Sequence, residues 1–180
     1  MGIRGHFPKR RHLVYELRCA GEKRSSFPLP AGYRFEEIKD LTTLRIEDGS
    51  RKRVTIEYMC KVSANKCKGL GIYDGNLCIG YGWAVFRGGE NCDYKIADSD
   101  CYICRCYVDP AYRGQGLLKC LIEELLNLYC VQGRSTAAIR PDNLASRRSF
   151  EALGFTLCGE RKYRMLCVGH YVRAVPHLSI

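Results

Sequence analysis

One segment of the chain, residues 101–128, constrains the fold more than any other. Its first eight residues, CYICRCYV, are rich in aromatic, β-branched and sulfur-containing side chains, which favour a β-strand that stops at the Asp-Pro pair 109–110. From Leu117 onward the apolar residues repeat at helical spacing. The turn between them carries Gly114 and Gly116, so its backbone amides are uncovered beside the positive end of a helix dipole. The sequence therefore predicts a strand–turn–helix unit with an anion site suited to a phosphate or pyrophosphate.

This turn resembles the V-x-P-x-x-R-G-x-G-[LI] signature of the GNAT superfamily of N-acetyltransferases. The matching residues are Val108, Pro110, Arg113, Gly114, Gly116 and Leu117. Leu118 departs from the signature, which has Gly or Ala there; its side chain reduces close approach at the first helical turn, while its amide remains. In the family this loop holds the pyrophosphate of acetyl-CoA, which is the co-substrate that the resemblance implies.

A second and independent match lies in residues 143–155, NLASRRSFEALGF. It resembles the later helix of the same family, N-x-x-[SA]-x-x-x-[YF]-x-x-x-G-F, and the matching residues are Asn143, Ser146, Phe150, Gly154 and Phe155. The segment is typical of a helix with Asp142 or Asn143 near its N-cap and Gly154 at its C-terminal end. The two matches follow the family's order and are separated by a predicted strand at 135–140, so chance is a poor explanation.

The resemblance implies an α/β fold with a mixed sheet, mostly antiparallel, with splayed central strands and helices on both faces. We expect one such domain over residues 1–180, with the weakest likeness over residues 1–30. Residues 40–68 carry helical spacing in parts and are expected to form the two short helices that cover the substrate side in the family. Strands are predicted at 12–19, at 33–39, in a hairpin over 70–87 that turns at Asp74-Gly75, at 99–108 as the longest strand, and at 134–140, 155–159 and 162–172.

Length and composition agree with a single globular domain. The 180 residues are 46% hydrophobic and 27% charged, close to the averages of soluble proteins. No apolar run approaches the roughly 18 residues of a transmembrane helix. The basic N-terminus lacks the apolar stretch of a signal peptide. We therefore expect a cytoplasmic protein with no membrane partner, and the sequence leaves a homodimer open.

The net charge of +10 comes from 29 basic and 19 acidic residues. Such an excess can serve a nucleic acid or another anionic partner. The basic residues, however, form five short clusters without interleaved stacking aromatics, and no nucleic-acid-binding motif is recognised. Arg113, Arg147 and Arg148 are candidates to meet the phosphates of CoA, because a guanidinium can bind phosphate through two hydrogen bonds. We expect no specific nucleic-acid binding.

The 12 cysteines are spread along the chain without the spacing of a disulfide framework. Cys101, Cys104 and Cys106 could suggest a metal site. In a strand, however, Cys101 and Cys104 point to opposite faces, and no second pair of ligands follows at zinc spacing. We expect reduced, buried cysteines that act as small hydrophobic side chains, and no bound metal.

The resemblance also implies which residues form the acetyl-CoA site. The residues expected to bind the cofactor are Cys106, Tyr107, Val108, Arg113, Gly114, Gln115, Gly116, Leu117, Leu118, Lys119, Asn143 and Arg147. In the family a backbone N–H of a splayed or bulged fourth strand stabilises the tetrahedral oxyanion, and the edge of that strand pairs with the pantetheine amides. The catalytic candidates are Val108, Tyr102 and Tyr107.

Two positions depart from the family's catalytic pattern. The tyrosine that usually protonates the leaving thiolate is Phe150 here, and the glutamate base of protein N-terminal acetylating members is replaced by Ala138. Asp100 and Tyr102 lie where other members carry a glutamate early in the fourth strand. Further candidates to approach the thiol are Tyr107, Tyr163, His170 and Tyr171.

Two functions are consistent with this pattern. The resemblance implies transfer of an acetyl group from acetyl-CoA to a primary amine of a small molecule, peptide or protein by direct attack. The alternative is a catalytically weak module that binds acyl-CoA and signals its presence. We expect the enzyme, because positioning and the oxyanion contact supply much of the rate and a thiolate is a good leaving group.

Overall fold

The computed structural model describes residues 9–39, 66–89, 96–168 and 171–176. The strands in these ranges are β1 (Lys9–Ala20), β2 (Tyr33–Ile38), β3 (Cys67–Asp74), β4 (Leu77–Val85), β5 (Cys101–Val108), β6 (Gln132–Ile139), β7 (Thr156–Val168) and β8 (Tyr171–Pro176). The helices are α1 (Leu117–Tyr129), α2 (Leu144–Ala152) and a 3-10 turn at Pro110–Tyr112. Segment 101–128 therefore folds as the predicted strand, turn and helix. Within these ranges no helix combines the length and the apolar character needed to cross a bilayer.

One mixed sheet contains all the described strands, in the order β2-β3-β4-β5-β6-β1-β7-β8. Neighbouring strands run antiparallel except β5 and β6, which are parallel. The N-terminal strand lies inside the sheet, because Tyr15 is opposite Ala137 of β6 on one side and Leu157 of β7 on the other. This mixed, mostly antiparallel sheet confirms the predicted fold class.

Two hydrophobic clusters lie on opposite faces of the sheet. Along β4, Ala84 belongs to the first cluster and its neighbours Trp83 and Val85 to the second, as the alternation of side chains in a strand requires. Both α1 and α2 pack on the first face, where Leu121 and Phe150 are almost completely buried. Each such side chain contributes roughly 1.5–3 kcal/mol by its burial. Helical cover of the second face was predicted for residues 40–68, of which 40–65 lie outside the described residues.

Three predicted strand boundaries are wrong. Residues 67 and 68, expected at the end of a helix, open β3. β5 has 8 residues and is shorter than β7, which has 13. The separate strands predicted at 155–159 and 162–172 are replaced by the unbroken β7 and by β8, which starts at Tyr171. β7 continues through the charged pair 160–161 because β1 pairs with it there.

A disulfide joins Cys101, the first residue of β5, to Cys130, the residue after α1. Their Cα atoms are 6.0 Å apart, within the usual range for a disulfide, and each residue is buried. The prediction that the cysteines are reduced is therefore wrong for this pair. Sequence spacing could not reveal it, because the fold returns α1 along β5 and so brings residues 29 positions apart together.

Candidate functional site

The loop between β5 and α1 is built by local hydrogen bonds. Asp109 Oδ1 accepts from the amide of Ala111 at 3.0 Å, which starts the 3-10 turn. Arg113 Nε donates to the carbonyl of Val108 at 3.1 Å, which closes the loop against the end of β5. Gly114 and Gly116 follow with φ of 86° and 78°, a left-handed conformation that favours glycine.

Helix α1 begins next to this loop with uncapped amides. Gly116 is its N-cap, and no side chain of the described residues makes a capping hydrogen bond there. The first intrahelical bond is from Lys119 N to the carbonyl of Gly116, at 2.9 Å. The earlier amides point out of the helix end, where the positive end of the dipole lies. The glycine turn and the uncapped amides are the backbone arrangement on which the predicted anion site depends, and anion binding there stays a prediction.

The start of α1 borders a cavity of about 570 Å³, whose other walls are the end of β5, the loop and α2. Ten of the twelve residues that the sequence assigned to the cofactor line it: Cys106, Tyr107, Val108, Arg113, Gly114, Gly116, Leu117, Leu118, Lys119 and Asn143. Because β5 and α2 are separated in sequence by α1 and β6, only the fold brings these two ends of the set together.

Helix α2 presents one face to this cavity. Asn143 is its N-cap and accepts from the amide of Ser146 at 3.3 Å. Ser146 and Ser149 follow at intervals of three residues, which places them on one face of the helix, and both line the cavity. Four lining residues were not among those predicted to bind the cofactor: Tyr112, Ala145, Ser146 and Ser149. Ser149 could have been predicted from the sequence, because it continues the spacing by three from Asn143 through Ser146 and therefore lies on the same face of the predicted helix as Ser146.

Two of the residues assigned to the cofactor do not line the cavity. Arg147 donates from Nε to the hydroxyl of Tyr15 at 3.0 Å and from Nη1 to the carbonyl of Pro141 at 3.2 Å. The Tyr15 hydroxyl in turn donates to Glu151 Oε1 at 2.8 Å, so Arg147 takes part in the contact between α2 and β1. Gln115 is turned towards β2 and accepts from the hydroxyl of another tyrosine, at position 33. Their contact with a cofactor stays a prediction.

β5 bulges beside the cavity. Tyr81 of β4 is opposite Tyr107 of β5. Two residues further along β4, Trp83 is opposite Cys104, so β5 has advanced by three residues and contains one extra. Arg105, inside this bulge, has φ of 51°, which is unusual for a residue other than glycine. A bulged strand at this position was predicted from the family resemblance.

β5 and β6 are also splayed. In the part of the chain that the structure describes, they pair only at residues 101–102 of β5 and 135–136 of β6. Towards Val108 the ladder between the two strands does not continue within the described ranges. Where a ladder between two strands ends, the backbone can offer N–H and C=O groups to a ligand.

The three catalytic candidates have different surroundings. Val108 and Tyr107 line the cavity. The Tyr107 ring stacks on Tyr81 with centroids 5.4 Å apart, and the guanidinium carbon of Arg113 lies 6.0 Å from the Tyr107 centroid. Tyr107 and Tyr102 both pack against the second hydrophobic cluster, on the sheet face opposite α1, but of the two only Tyr107 also lines the cavity. The structure therefore places Tyr102 apart from the cavity.

The positions that depart from the family's catalytic pattern lie away from this cavity. Phe150 is 3% exposed, and its ring meets Phe155 edge to face with centroids 4.9 Å apart, within the first cluster. Ala138 lies on β6 opposite Val14 of β1 and has no titratable group. Three tyrosine or histidine candidates fall outside the described side chains: Tyr163, His170 and Tyr171.

The cysteines of β5 have contrasting environments. Cys101 is in the disulfide, whereas the Cys106 thiol donates weakly to the carbonyl of Cys104 at 3.7 Å. A Cβ placed on Gly82 would be 3.0 Å from Cys106 Sγ and from Leu125 Cδ1, which shows how tightly the thiol is packed under α1. Burial raises the pKa of the Cys106 thiol to about 12, so it is neutral at physiological pH and unsuited to be a nucleophile. In the described ranges, no group of three or more His, Cys, Asp or Glu side chains could hold a metal ion.

A second cavity, of about 520 Å³, lies on the other face of the sheet. It is lined by Val14 and Glu16 of β1, which alternate with the core residue Tyr15. Arg134 also lines it and forms ion pairs with Asp100 at 3.1 Å and with Glu16 at 3.4 Å. The hydrogen bond that the Arg134 guanidinium donates to Asp100 is the main reason that the pKa of Arg134 is raised. This second cavity therefore presents charges of both signs.

Fold and geometry together define a class of protein, a mixed-sheet domain with a glycine loop and a bulged strand at one cavity. The family model described as acetyltransferase (GNAT) family matches residues 34–155. The chain therefore belongs to the GNAT acetyltransferase family, which confirms the resemblance seen in its two motifs. No curated protein matches the sequence.

Several solved structures share this fold at low sequence identity. A Drosophila protein superposes with a TM-score of 0.62 at 15% identity, covering 88% of this chain and 51% of that one. A tandem GNAT protein from the clavulanic acid biosynthesis pathway has a TM-score of 0.57 at 16% identity, covering 87% and 52%. A GCN5-related N-acetyltransferase from Sphaerobacter thermophilus has a TM-score of 0.57 at 12% identity, covering 85% and 50%. The chain thus spans about half the length of these proteins, and the similarity is one of fold.

Proposed function

We propose that the protein binds acetyl-CoA in the cavity between β5, α1 and α2 and transfers its acetyl group to a primary amine. The observation that carries this proposal is the meeting of the glycine loop, the uncapped start of α1 and the bulged edge of β5 at one cavity. Membership of the acetyltransferase family supports it. The acceptor amine belongs to a small molecule, a peptide or a protein.

The pyrophosphate of CoA is proposed to bind at the amides of residues 114–119. Two cations line the same cavity, Arg113 and Lys119. Arg113 is held through Nε by the carbonyl of Val108, so its terminal nitrogens remain to contact a phosphate. Lys119 Nζ lies 4.5 Å from the centroid of the Phe27 ring, which holds the ammonium close to the start of α1.

The reaction proposed is direct attack of the amine on the thioester. Most alkylamines have a pKa of about 10, so a proton must leave the ammonium before attack. The amine nitrogen then bonds to the carbonyl carbon and gives up its second proton, the C–S bond breaks to leave the amide, and CoA departs as a thiolate that takes up a proton. In this proposal a backbone N–H at Val108 donates to the oxyanion. Tyr107, which lines the cavity while its ring stacks on Tyr81, is the candidate to protonate the thiolate.

The acceptor is proposed to arrive from the other sheet face, through the gap between β5 and β6. Tyr102 and the second cavity lie on that face. Asp100 there already accepts from Arg134, so Tyr102 is the better candidate to pass on the proton of the amine, through water if necessary. The compensated charges of Glu16, Asp100 and Arg134 suit an acceptor that carries polar groups besides its amine.

One observation favours the alternative, a catalytically weak acyl-CoA-binding module. Phe150 is buried among core residues and Ala138 has no acid–base group, so neither of the family's usual proton-transfer positions is equipped for that role. The same cavity would then hold acyl-CoA without turning it over.

Calorimetric titration with CoA and acetyl-CoA, followed by a thiol-release screen against a panel of amines, tests the proposal. We expect binding of both ligands and turnover with at least one amine. Gly116→Trp, which fills the loop, should abolish binding, and Tyr107→Phe should lower the maximal rate while leaving CoA affinity unchanged. Binding without turnover by any amine would support the module, and absence of binding would refute both functions.

A further inference from the structure

The glycine loop is held from the side by β2 and β3. Tyr33 of β2 and Asp74 of β3 are directly opposite each other in the sheet. The Tyr33 hydroxyl donates to Gln115 Oε1 at 3.0 Å, and the Tyr112 hydroxyl donates to Asp74 Oδ2 at 3.1 Å. The two tyrosine rings also meet edge to face, with centroids 6.2 Å apart. We call Tyr33 and Asp74 the loop clamp.

The loop clamp holds the two ends of the turn that bears the glycines. Its contacts fall on Tyr112 and Gln115, which flank Arg113 and Gly114. A Cβ placed on Gly114 would meet no heavy atom within 4 Å, so the tip of the loop has little packing of its own. Glycine loses more conformational entropy on ordering than any other residue. The order of the tip therefore depends on contacts at its ends.

The base of the clamp is tied to the helix that forms the other side of the site. The buried carboxylate of Glu123 on α1 accepts from the amides of Ser26 at 3.0 Å and Phe27 at 2.8 Å. The side chain of Asn127 accepts from the amide of Arg24 and donates to its carbonyl, each at 2.8 Å. These hydrogen bonds fix the segment that leads into β2 along α1. They therefore also fix the position of β2 relative to the start of that helix.

We infer that the loop clamp positions the anion-binding amides and thereby raises the affinity for the pyrophosphate of CoA, an inference that rests on the proposed function. Tyr33 and Asp74 are positioning residues, since they act through Tyr112 and Gln115. A loop that is ordered before binding loses less entropy on binding. Both hydrogen bonds are exposed, so removal of either should weaken CoA binding by about threefold to tenfold.

The test compares Tyr33→Phe and Tyr112→Phe, which remove one hydroxyl each and keep both rings. CoA binding is measured by calorimetry, and binding of pantetheine, which has the thiol arm without the pyrophosphate, by NMR titration. Tyr129→Phe at the far end of α1 is the matched control, because it also removes one tyrosine hydroxyl. Amide hydrogen exchange of residues 112–116 in the ligand-free protein reports the order of the loop directly.

We expect Tyr33→Phe and Tyr112→Phe each to bind CoA about threefold to tenfold more weakly than wild type and to bind pantetheine with unchanged affinity. Both should also show faster amide exchange in residues 112–116. Tyr33→Phe should add no further loss in a Gln115→Leu background, since the partner of the hydroxyl is then already absent. CoA affinity equal to wild type, or an equal loss for pantetheine and CoA, would overturn the clamp and leave the proposed function standing. A wild-type protein that fails to bind CoA would overturn both.

Discussion

The substitution Gly116→Ala tests whether the left-handed backbone at the start of α1 is essential to the site. Gly116 is the N-cap of α1, with φ of 78° and ψ of 2°. An L-residue in this conformation costs roughly 1–2 kcal/mol. Alanine also lowers the conformational entropy of the unfolded chain, which stabilises the folded state by about 0.4–1 kcal/mol. The net destabilisation expected is therefore about 1 kcal/mol.

Steric overlap adds nothing to this estimate. A Cβ on Gly116 would lie 3.7 Å from Lys119 Cε, an ordinary van der Waals contact. The effect is thus one of backbone strain, which an Asn at the same position should relieve in part because Asn tolerates the left-handed region. Gly159→Ala is the matched control, because Gly159 does not have a positive φ and a Cβ there meets nothing within 4 Å.

Thermal unfolding and calorimetry with CoA measure the two consequences. A loss of about 1 kcal/mol lowers the melting temperature by roughly 2–4 °C in a chain of this size. If the loop changes conformation and so relieves the backbone strain, CoA affinity should fall by about fivefold, which corresponds to about 1 kcal/mol. Gly116→Asn should lie between wild type and Gly116→Ala, and Gly159→Ala should match wild type. A Gly116→Ala variant as stable and as tight-binding as wild type would refute the reasoning.

Four further predictions concern the core and the cysteines. Serine at both Cys101 and Cys130 removes a cross-link between residues 29 positions apart, so the free energy of unfolding in urea should fall by about 3–4 kcal/mol under oxidising conditions; no difference from oxidised wild type would contradict the disulfide. Phe150→Tyr buries a hydroxyl in the first cluster and should cost about 1–3 kcal/mol of stability while leaving the maximal rate unchanged, and a faster enzyme would show that the hydroxyl reaches the cofactor. Iodoacetamide at pH 8 should label the exposed Cys158 well before Cys106, whose thiol pKa of about 12 keeps it protonated, as mass spectrometry of the native protein can show. Because an unfolded thiol ionises near pH 8.5 and the Cys106 thiol does not, this group lowers stability as pH rises above about 9, and Cys106→Ala should flatten that decrease.

The sequence by itself determined the local units of this protein. The strand that ends at Val108, the glycine loop and the helix that starts at Leu117 follow from residues that interact with near neighbours in the chain. The same holds for Asn143, whose side chain caps the helix that it precedes. Turns, caps and amphipathic periodicity depend on contacts a few residues apart, so their chemistry can be read before the fold is known. The resemblance of these local motifs to the GNAT signatures implied ten of the cavity-lining residues.

Only the tertiary structure decided which distant groups meet. β1 lies between β6 and β7, and this position lets Arg147 bind the hydroxyl of Tyr15. From the sequence alone, Arg147 was an equally good candidate to contact a phosphate. Pairing of β2 with β3 sets Tyr33 and Asp74 against the glycine loop. The return of α1 along β5 makes the disulfide. Each of these contacts joins residues far apart in the chain, and a strand's partner depends on the packing of the whole sheet, which local side-chain patterns do not specify.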